Sequence, residues 1–301
     1  MTSPARKMDA LTRVSIKNIL YPTDLSPAAD GALPYVLGLA GRYGATVHAL
    51  HVTLPSPYVM AGPEGMPQAF EAAKVQSQLE FQRMDKMLAG VPHEIAIESG
   101  DIWSRVKEFI EQRKIDLIVI GTHGRTGVGR ALLGSVAEEI FRQAPCPVLT
   151  VGPRTSVQAE QRLEMKEILY ATDFSEESRA AAPYAISLAQ EHQARLTLLH
   201  VMGEPKTGEL VHPENYIEST LRQLQNLVPP EAEPWCKPSF KIERGAPAEK
   251  ILEAAASLAA DLIVLGVRGA SQHLGATTHL LRPMAHRVVT KAGCPVLTVR
   301  G

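Results

Sequence analysis

The sequence Asp116-Leu117-Ile118-Val119-Ile120-Gly121-Thr122-His123-Gly124 places a short apolar run directly before two glycines. Such a run, rich in branched aliphatic residues, predicts a strand buried on both faces, as in a parallel sheet. After nine intervening residues, Gly124 is followed by the pair Gly134-Ser135, which precedes residues 136–141, and these predict a helix. The segment is therefore a strand, a glycine-rich turn and a helix, which is the repeating unit of an α/β fold.

This turn also has the composition of an anion-binding site. Glycine lets backbone N–H groups approach an anion closely, and the following helix presents free N–H groups and the positive end of its dipole. Ser135 adds a hydroxyl donor. The glycine spacing matches neither a Walker A loop nor the GxGxxG fingerprint of dinucleotide-binding proteins. The sequence favours a ligand that carries phosphate without identifying a nucleotide class.

The two halves of the chain repeat each other at an offset that is 149 residues from Lys17 to Lys166, drops to 145 in the middle and returns to 148 at the end. Four segments recur, and they are 17–24 with 166–173, His51-Val52 with His200-Val201, 118–121 with 263–266, and Cys-Pro-Val-Leu-Thr-Val at 146–151 with the same six residues at 294–299. A period of this length corresponds to a whole domain, so we expect two consecutive domains with a boundary inside residues 152–165.

Strands and helices alternate in the first half. The predicted strands are 16–21, 46–52, 94–98, 117–120 and 148–151, and the predicted helices are 28–43, 68–88 and 102–113, the last with Asp101 as N-cap. In such sheets ligands bind beyond the carboxyl ends of the strands. Asp24, Val52 and Gly121 all follow or end predicted strands, which predicts one shared cleft.

Composition excludes several classes of protein. The chain has 45% hydrophobic residues, a net charge of −1 and 3 cysteines. The balanced charge makes nucleic acid an unlikely main partner, and no apolar run is long enough for a membrane span. The cysteines suit neither a disulfide framework nor a zinc site, and residues 1–13 lack the apolar core of a signal peptide. We therefore expect a cytoplasmic protein.

The glycine pattern Gly-x2-Gly-x9-Gly-Ser, the Pro22-Thr23-Asp24 end of the first strand and the repeated Cys-Pro-Val-Leu strand together resemble the universal stress protein family. The resemblance covers nearly the whole chain. It implies two tandem three-layer α/β/α domains with a Rossmann-like nucleotide-binding fold, at residues 1–154 and 155–301. Each would hold a five-stranded parallel sheet of order 3-2-1-4-5. Many members of this family bind ATP, and others bind no nucleotide.

Carried onto matching positions, the resemblance implies a full ATP site in the first half, with or without Mg²⁺. Asp24 would lie beside the adenosine, Val52 would contact adenine through its backbone, and the glycine loop would hold the phosphates and ribose. The implied ATP-binding residues are Pro22, Thr23, Asp24, Val52, Gly121, His123, Gly124, Arg125, Gly134, Ser135 and Val136.

The second half departs from the family pattern. Alignment from Cys294 backward sets Arg282-Pro283 against Gly134-Ser135. Proline has no N–H to donate and arginine fills the space that glycine leaves open, so we expect ATP binding to be lost there. Arginine side chains could instead bind an anion or plug the cleft. The residues of this second cleft are Thr172, Asp173, Val201, Gly266, Arg268, Gly269 and Arg282.

Structural interpretations stand beside these roles. Asp24 and Asp173 are compatible with capping the following helix, and the glycines with tight turns. We expect His51 and His200 to be packing residues. Residues 55–67, rich in Pro, Gly and Met, are compatible with a lid or with an inert surface loop.

Three functions remain open at this stage. The first is an ATP-binding regulatory protein of the stress response with a protein partner not specified by the sequence. The second is a slow ATPase, for which we identify no catalytic or metal-binding residue. The third is a nucleotide-free scaffold. The resemblance also implies an intrachain pseudo-dimer, in which the last strands, Cys146 to Val151 and Cys294 to Val299, pair with each other, and further association into a homodimer is possible.

Overall fold

The computed structural model describes residues 14–53, 66–122, 133–153, 155, 163–203, 213–236, 238–268 and 284–301. Residues 55–65, most of the segment that is compatible with a lid or with an inert surface loop, lie outside the described residues, so the two interpretations stay open. In the described part of the chain, no helix combines the length and the apolar character that crossing a membrane requires.

The chain divides into two compact units, Ser15–Leu163 and Glu164–Gly301, and Val14 belongs to the second. The Val14 N–H joins it to that unit by donating to Ser187 Oγ at 2.9 Å. The division into two units, one in each half of the chain, confirms the predicted tandem organisation. The boundary between residues 154 and 155 stays a prediction, because residues 154 and 156–162 are not described.

Five parallel strands form the sheet of the first domain. They are β1 (Asn18–Pro22), β2 (Thr46–Thr53), β3 (His93–Ser99), β4 (Leu117–Gly121) and β5 (Val148–Val151). Their order is β3-β2-β1-β4-β5, which confirms the predicted order 3-2-1-4-5. All five residues of β4 are buried, as its apolar run predicts. The order of strands reverses at β1, so the carboxyl ends of β1 and β4 flank the topological switch point.

The helices of the first domain are α1 (Pro27–Asp30), α2 (Leu33–Tyr43), α3 (Met66–Met87), α4 (Ile102–Arg113) and α5 (Ser135–Gln143). Asp101 caps α4 as predicted, because its Oδ2 accepts the Ser104 N–H at 2.9 Å. The prediction of one helix over residues 28–43 was wrong, since a turn at Gly31 and Ala32 separates α1 from α2.

The second domain repeats this architecture. Its strands are β6 (Glu167–Ala171), β7 (Arg195–Met202), β8 (Pro238–Arg244), β9 (Leu262–Val267) and β10 (Val296–Arg300), in the order β8-β7-β6-β9-β10. Its helices are α6 (Glu176–His192), α7 (Pro213–Gln225), α8 (Glu233–Cys236), α9 (Pro247–Leu258) and α10 (Met284–Lys291).

The interruption between α1 and α2 follows from glycine rather than from proline. Helix α6 carries Pro183 at the position of Pro34, 149 residues earlier, and nevertheless runs without a break from Glu176 to His192. It has Ala180 where the first domain has Gly31. Glycine has more backbone freedom to lose in a helix than alanine, which favours the turn at Gly31.

A buried tyrosine fixes the first helix of each domain to its central strand. Tyr21 Oη donates to the Ala29 carbonyl at 3.2 Å, and Tyr170 Oη donates to the Ser178 carbonyl at 2.5 Å. Burial raises the pKa of Tyr21 and of Tyr170 to about 12. Both hydroxyls therefore keep their proton at physiological pH and hold the amino-terminal turn of the helix beside the sheet.

In each domain, a buried polar side chain lies near the amino-terminal ends of the first two strands, which are β1 and β2 or β6 and β7. In the first domain His48 is buried, with Nε2 at 3.1 Å from Asn18 Oδ1 and Nδ1 at 3.3 Å from Glu94 Oε2. In the second domain Glu167 takes the place of Asn18 and accepts from Thr197, the counterpart of His48, at 3.0 Å. The first domain thus has a titratable histidine where the second has a hydroxyl.

Candidate functional site

The turn after β1 forms one wall of the first cleft. Asp24 Oδ1 accepts the Ser26 N–H at 3.0 Å, and Ser26 Oγ accepts the Ala29 N–H at 3.1 Å. Ser26, not Asp24, is therefore the N-cap of α1, and Asp24 holds the capping residue in place. Leu25 lies between them at φ 60°, a left-handed conformation that costs a residue with a side chain about 1 kcal/mol. Non-glycine residues in such conformations are enriched at functional sites.

Backbone and side-chain bonds join this turn to the end of β2. The Thr23 N–H donates to the Leu50 carbonyl at 3.0 Å, and His51 Nδ1 lies 2.7 Å from the Thr23 carbonyl oxygen. His51 is buried, as expected for a packing residue. Val52, the next residue, is half-buried at the same edge of the sheet. The structure therefore places the Asp24 turn and Val52 side by side, as the sequence predicted.

Helix α3 clamps the outer side of the turn, which the sequence did not reveal. Arg83 Nη1 donates to the Leu25 carbonyl at 2.7 Å, and Arg83 Nη2 donates to Asp30 Oδ2 at 2.6 Å. Glu80, one helical turn earlier, has Oε2 at 3.7 Å from His51 Nε2. Burial raises the pKa of Asp30, and this outweighs the lowering effect of Arg83. No local signal marks these residues, because the two contacts of Arg83 span more than 50 positions in the chain and that of Glu80 spans 29.

The segment from Gly121 to Ser135, which we call the glycine loop, starts at the carboxyl end of β4, and its last residues lie at the same place. The Gly134 N–H donates to the Thr122 carbonyl at 2.8 Å, and the Thr122 N–H donates to the Val151 carbonyl at 2.9 Å. These two N–H groups are therefore used to close the loop and to continue the sheet. The structure brings Gly121 and Thr122 together with Gly134 and Ser135, as the spacing of the glycines predicted.

The amino end of α5 supplies the donors that remain for an anion. Gly134 is the N-cap, with φ −60° and ψ 149°, and none of the described side chains caps the helix. Ser135 is exposed and Val136 is half-buried in the first turn. The first N–H groups of a helix have no intrahelical partner and lie at the positive end of its dipole. This arrangement suits a phosphate group.

Gly121 serves packing as well as the loop. A Cβ placed on Gly121 would lie 3.1 Å from the Ala28 carbonyl oxygen and 3.3 Å from Ala29 Cα. The glycine therefore lets the first turn of α1 approach the end of β4 closely. The Asp24 turn and the glycine loop consequently share one continuous edge of the sheet.

Five predicted site residues lie outside the described residues. They are His123, Gly124, Arg125, Gly269 and Arg282. Their roles stay predictions. Among the residues that the structure does describe, no group of three or more His, Cys, Asp or Glu side chains is placed to hold a metal ion.

The second domain reproduces the turn after its first strand. Asp173 Oδ1 accepts the Ser175 N–H at 3.0 Å, Ser175 caps α6, and Phe174 has φ 64°. His200 Nδ1 lies 2.9 Å from the Thr172 carbonyl oxygen, next to the half-buried Val201. Burial raises the pKa of Asp173, but hydrogen bonds from Ser175 lower it further, so the pKa lies below its ordinary value. Asp173 is thus held as a carboxylate.

The rest of the second cleft differs from the first. The Phe174 ring stacks on the His200 ring with centroids 4.6 Å apart. A Cβ placed on Gly266 would overlap the Glu177 carbonyl oxygen and Ser178 Cα, so α6 lies closer to β9 than α1 lies to β4. Arg268 Nε lies 3.8 Å from Glu177 Oε1, and Arg300 Nη1 donates to the Arg268 carbonyl at 2.9 Å. Arg268, expected to bind or exclude an external anion, therefore already faces a carboxylate of its own domain.

The fold and this edge define a class, namely a protein of two consecutive parallel α/β domains whose candidate site lies at the carboxyl ends of the strands. The model of the universal stress protein family matches residues 15–152 and again residues 164–300. The chain belongs to the universal stress protein family, as a tandem member with one family domain in each half.

Related proteins agree with this assignment. A universal stress protein of Mycolicibacterium smegmatis is 27% identical over 297 residues, which cover 94% of this chain and 96% of the relative. A universal stress protein of Methanocaldococcus jannaschii is 38% identical over 138 residues, which cover 45% of this chain and 81% of the relative. The first relative is similar over both domains and supports the tandem arrangement. The second is similar over the length of one family domain.

A solved structure shows the same fold over nearly the whole length. The universal stress protein of Archaeoglobus fulgidus superimposes with a TM-score of 0.69 and 21% sequence identity, covering 94% of this chain and 98% of that chain. At this level of identity the similarity establishes the fold.

Proposed function

We propose that the first domain binds ATP, with or without Mg²⁺, and that the second domain does not. Bound nucleotide then regulates the interaction of this protein with a protein partner in the cytoplasm. The observation that carries this proposal is the amino end of α5, which no side chain of the described residues caps and which the bond from the Gly134 N–H to the Thr122 carbonyl holds beside β4. The family supports the nucleotide class, since many of its members bind ATP.

The proposed ligand uses both ends of the edge. The phosphates lie at the amino end of α5, where backbone N–H groups and the Ser135 hydroxyl donate. The adenosine lies at the Asp24 turn and Val52. Hydrogen bonds from Ser26 to Asp24 and from Arg83 to Leu25 fix this turn before a ligand arrives, which lowers the entropy lost on binding.

Regulation follows from coupling between ligand and conformation. A nucleotide shifts a conformational equilibrium only as far as it binds one state more tightly than the other. The pairing of β5 with β10 in an intrachain pseudo-dimer, and a homodimer of chains, belong to this proposal. Each of these strands ends the order of strands within its own domain, which supports them as pairing edges.

The test exchanges residues between the domains. Gly134→Arg with Ser135→Pro copies the second half onto the first, and we expect it to abolish ATP binding measured by calorimetry. Gly41→Arg is the matched control, because it adds the same charge at an exposed glycine of α2 where a Cβ meets nothing within 4 Å. ATP affinity that survives the double exchange would contradict the site assignment.

A further inference from the structure

Glu177 occupies the position in the second domain that Ala28 occupies in the first, 149 residues earlier. It lies in the first turn of α6, two residues after the N-cap Ser175. Its side chain is only 17% exposed, although most glutamates at helix ends extend into solvent. A carboxylate at this end of a helix is stabilised by the dipole, as a phosphate would be.

The partner of Glu177 is Arg268, which follows β9 at the start of the segment that corresponds to the glycine loop. Arg268 Nε lies 3.8 Å from Glu177 Oε1. The Arg268 backbone is held by Arg300 of the neighbouring strand β10, whose Nη1 donates to the Arg268 carbonyl at 2.9 Å. The ion pair therefore joins the helix to the strand end where a ligand phosphate would have to enter.

The backbone at the start of α6 also packs closely against the ends of β9 and β10, beside this ion pair. Gly266 packs so tightly on α6 that a Cβ would overlap the Glu177 carbonyl oxygen. A Cβ on Gly301, just beyond β10, would lie 2.9 Å from Glu177 Cα. In the first domain the corresponding approach of Ala28 to Gly121 leaves 3.1 Å. The first turn of α6 is therefore packed closely against the ends of two strands.

We propose that Glu177 is the resident anion of the second cleft: its carboxylate pairs with Arg268 and excludes phosphate-bearing ligands from this edge. The inference rests on the proposed function in placing phosphates at this edge of each domain. It adds a specificity-determining residue that acts by charge, in addition to the altered loop at Arg282-Pro283. Removing the carboxylate releases Arg268 to bind an external anion.

The first experiment measures pyrophosphate binding to the full chain by calorimetry at low salt. Glu177→Ala should raise affinity about tenfold, since a unit charge within a few ångströms is removed at a partly exposed site. Glu177→Gln keeps the shape of the side chain and should give the same gain. Glu177→Ala combined with Arg268→Gln should lose it. The first domain is the same in all variants and contributes a constant background.

Each outcome of this series decides the proposal. A change of less than twofold in Glu177→Ala overturns it. A gain in Glu177→Ala without a gain in Glu177→Gln assigns the effect to bulk and overturns the role of charge. A gain that persists without the Arg268 guanidinium overturns the pairing. Circular dichroism and thermal melting establish that each variant is folded.

The second experiment transfers the carboxylate to the first domain. Ala28→Glu should lower ATP affinity at least about tenfold, whereas Ala28→Gln, of equal size, should lower it much less. Equal effects of the two variants contradict the inference. If the wild-type chain binds no ATP, the proposed function fails, and the Glu177 series with pyrophosphate still decides the inference.

Discussion

The turns that follow β1 and β6 share one design and differ in what surrounds it. Both have a buried threonine, an aspartate that binds the capping serine, a left-handed residue between them, and a histidine against the threonine carbonyl. The differences lie at the left-handed residue, Leu25 against Phe174, and just outside the turn, at Ala28 against Glu177. The comparison teaches that the scaffold itself requires the turn, and that the proposed difference in ligand binding has to come from the residues that differ between the two domains.

The side chains that pack on the two turns also differ between the domains. In the first domain Arg83 binds the carbonyl of Leu25, whereas in the second domain the ring of Phe174 stacks on His200. In the first domain, Arg83 fixes the backbone of the turn at Leu25, and its guanidinium does not cover the end of β2. The second uses a side chain of the turn itself to cover the histidine next to Val201.

The largest expected effect concerns the two packing glycines. Gly266→Ala should destabilise the second domain by about 3 kcal/mol, because the new Cβ overlaps backbone atoms of Glu177 and Ser178. Gly121→Ala should cost the first domain about 1 kcal/mol, since its closest contact is 3.1 Å. Hydrogen exchange measured by mass spectrometry reports the two domains separately.

Each glycine variant is the control for the other. Equal loss of protection in both domains would contradict the closer packing of α6 on β9. A larger loss in Gly121→Ala would reverse the comparison.

A smaller effect is expected for the contacts of Arg83, which have no counterpart among the described residues of the second domain. Arg83→Met should weaken ATP binding several-fold, because the Leu25 carbonyl and Asp30 lose a charged donor and the Asp24 turn is less fixed before binding. The measurement is ATP titration calorimetry. Arg222→Met is the matched control, since Arg222 pairs with Glu218 on α7 of the second domain. Equal ATP affinity in Arg83→Met and Arg222→Met would show that α3 does not position the site.

The smallest effect is a pH dependence that arises from His48 of the first domain. Burial lowers the pKa of His48 below its ordinary value of 6.5, against the opposing effect of Glu94. Below pH 6.5 the unfolded chain therefore gains a proton that the folded domain lacks, and stability falls until the pH reaches the folded-state pKa. His48→Gln should remove this loss.

Urea unfolding at pH 7.5 and 5.5 tests this prediction. The advantage of the wild type over His48→Gln should be smaller at pH 5.5. An advantage that grows at pH 5.5 would mean that Glu94 outweighs burial. The same comparison for Thr197→Ser, at the equivalent position of the second domain, should not change with pH.

Much of the fold was predictable because it depends on local periodicity and on the internal repeat. The apolar run located β4, its repeat at residues 263–266 corresponds to β9, and the strand order followed from the resemblance. The break at Gly31 was missed because a single glycine weighs little against a long amphipathic pattern. The approach of Asp24, Val52 and Gly121 was predictable, because all three lie at carboxyl ends of neighbouring strands.

The contacts that distinguish the two clefts were not predictable from the sequence. Arg83 reaches Leu25 across 58 positions, and Arg268 faces Glu177 across more than 90. Pairings of this kind depend on how a helix lies against a sheet, which neither composition nor spacing encodes. Glu177 carried one usable signal, since the repeat aligns it with Ala28 at the start of the predicted helix that follows the Asp24 turn.

The central claim is that the first cleft binds ATP and the second does not. The most direct test is the nucleotide content of the purified chain, released by denaturation and identified by mass, followed by saturation with ATP and Mg²⁺. The account predicts one adenine nucleotide per chain, lost on Gly134→Arg with Ser135→Pro. Two nucleotides per chain, or none even at saturation, would contradict it.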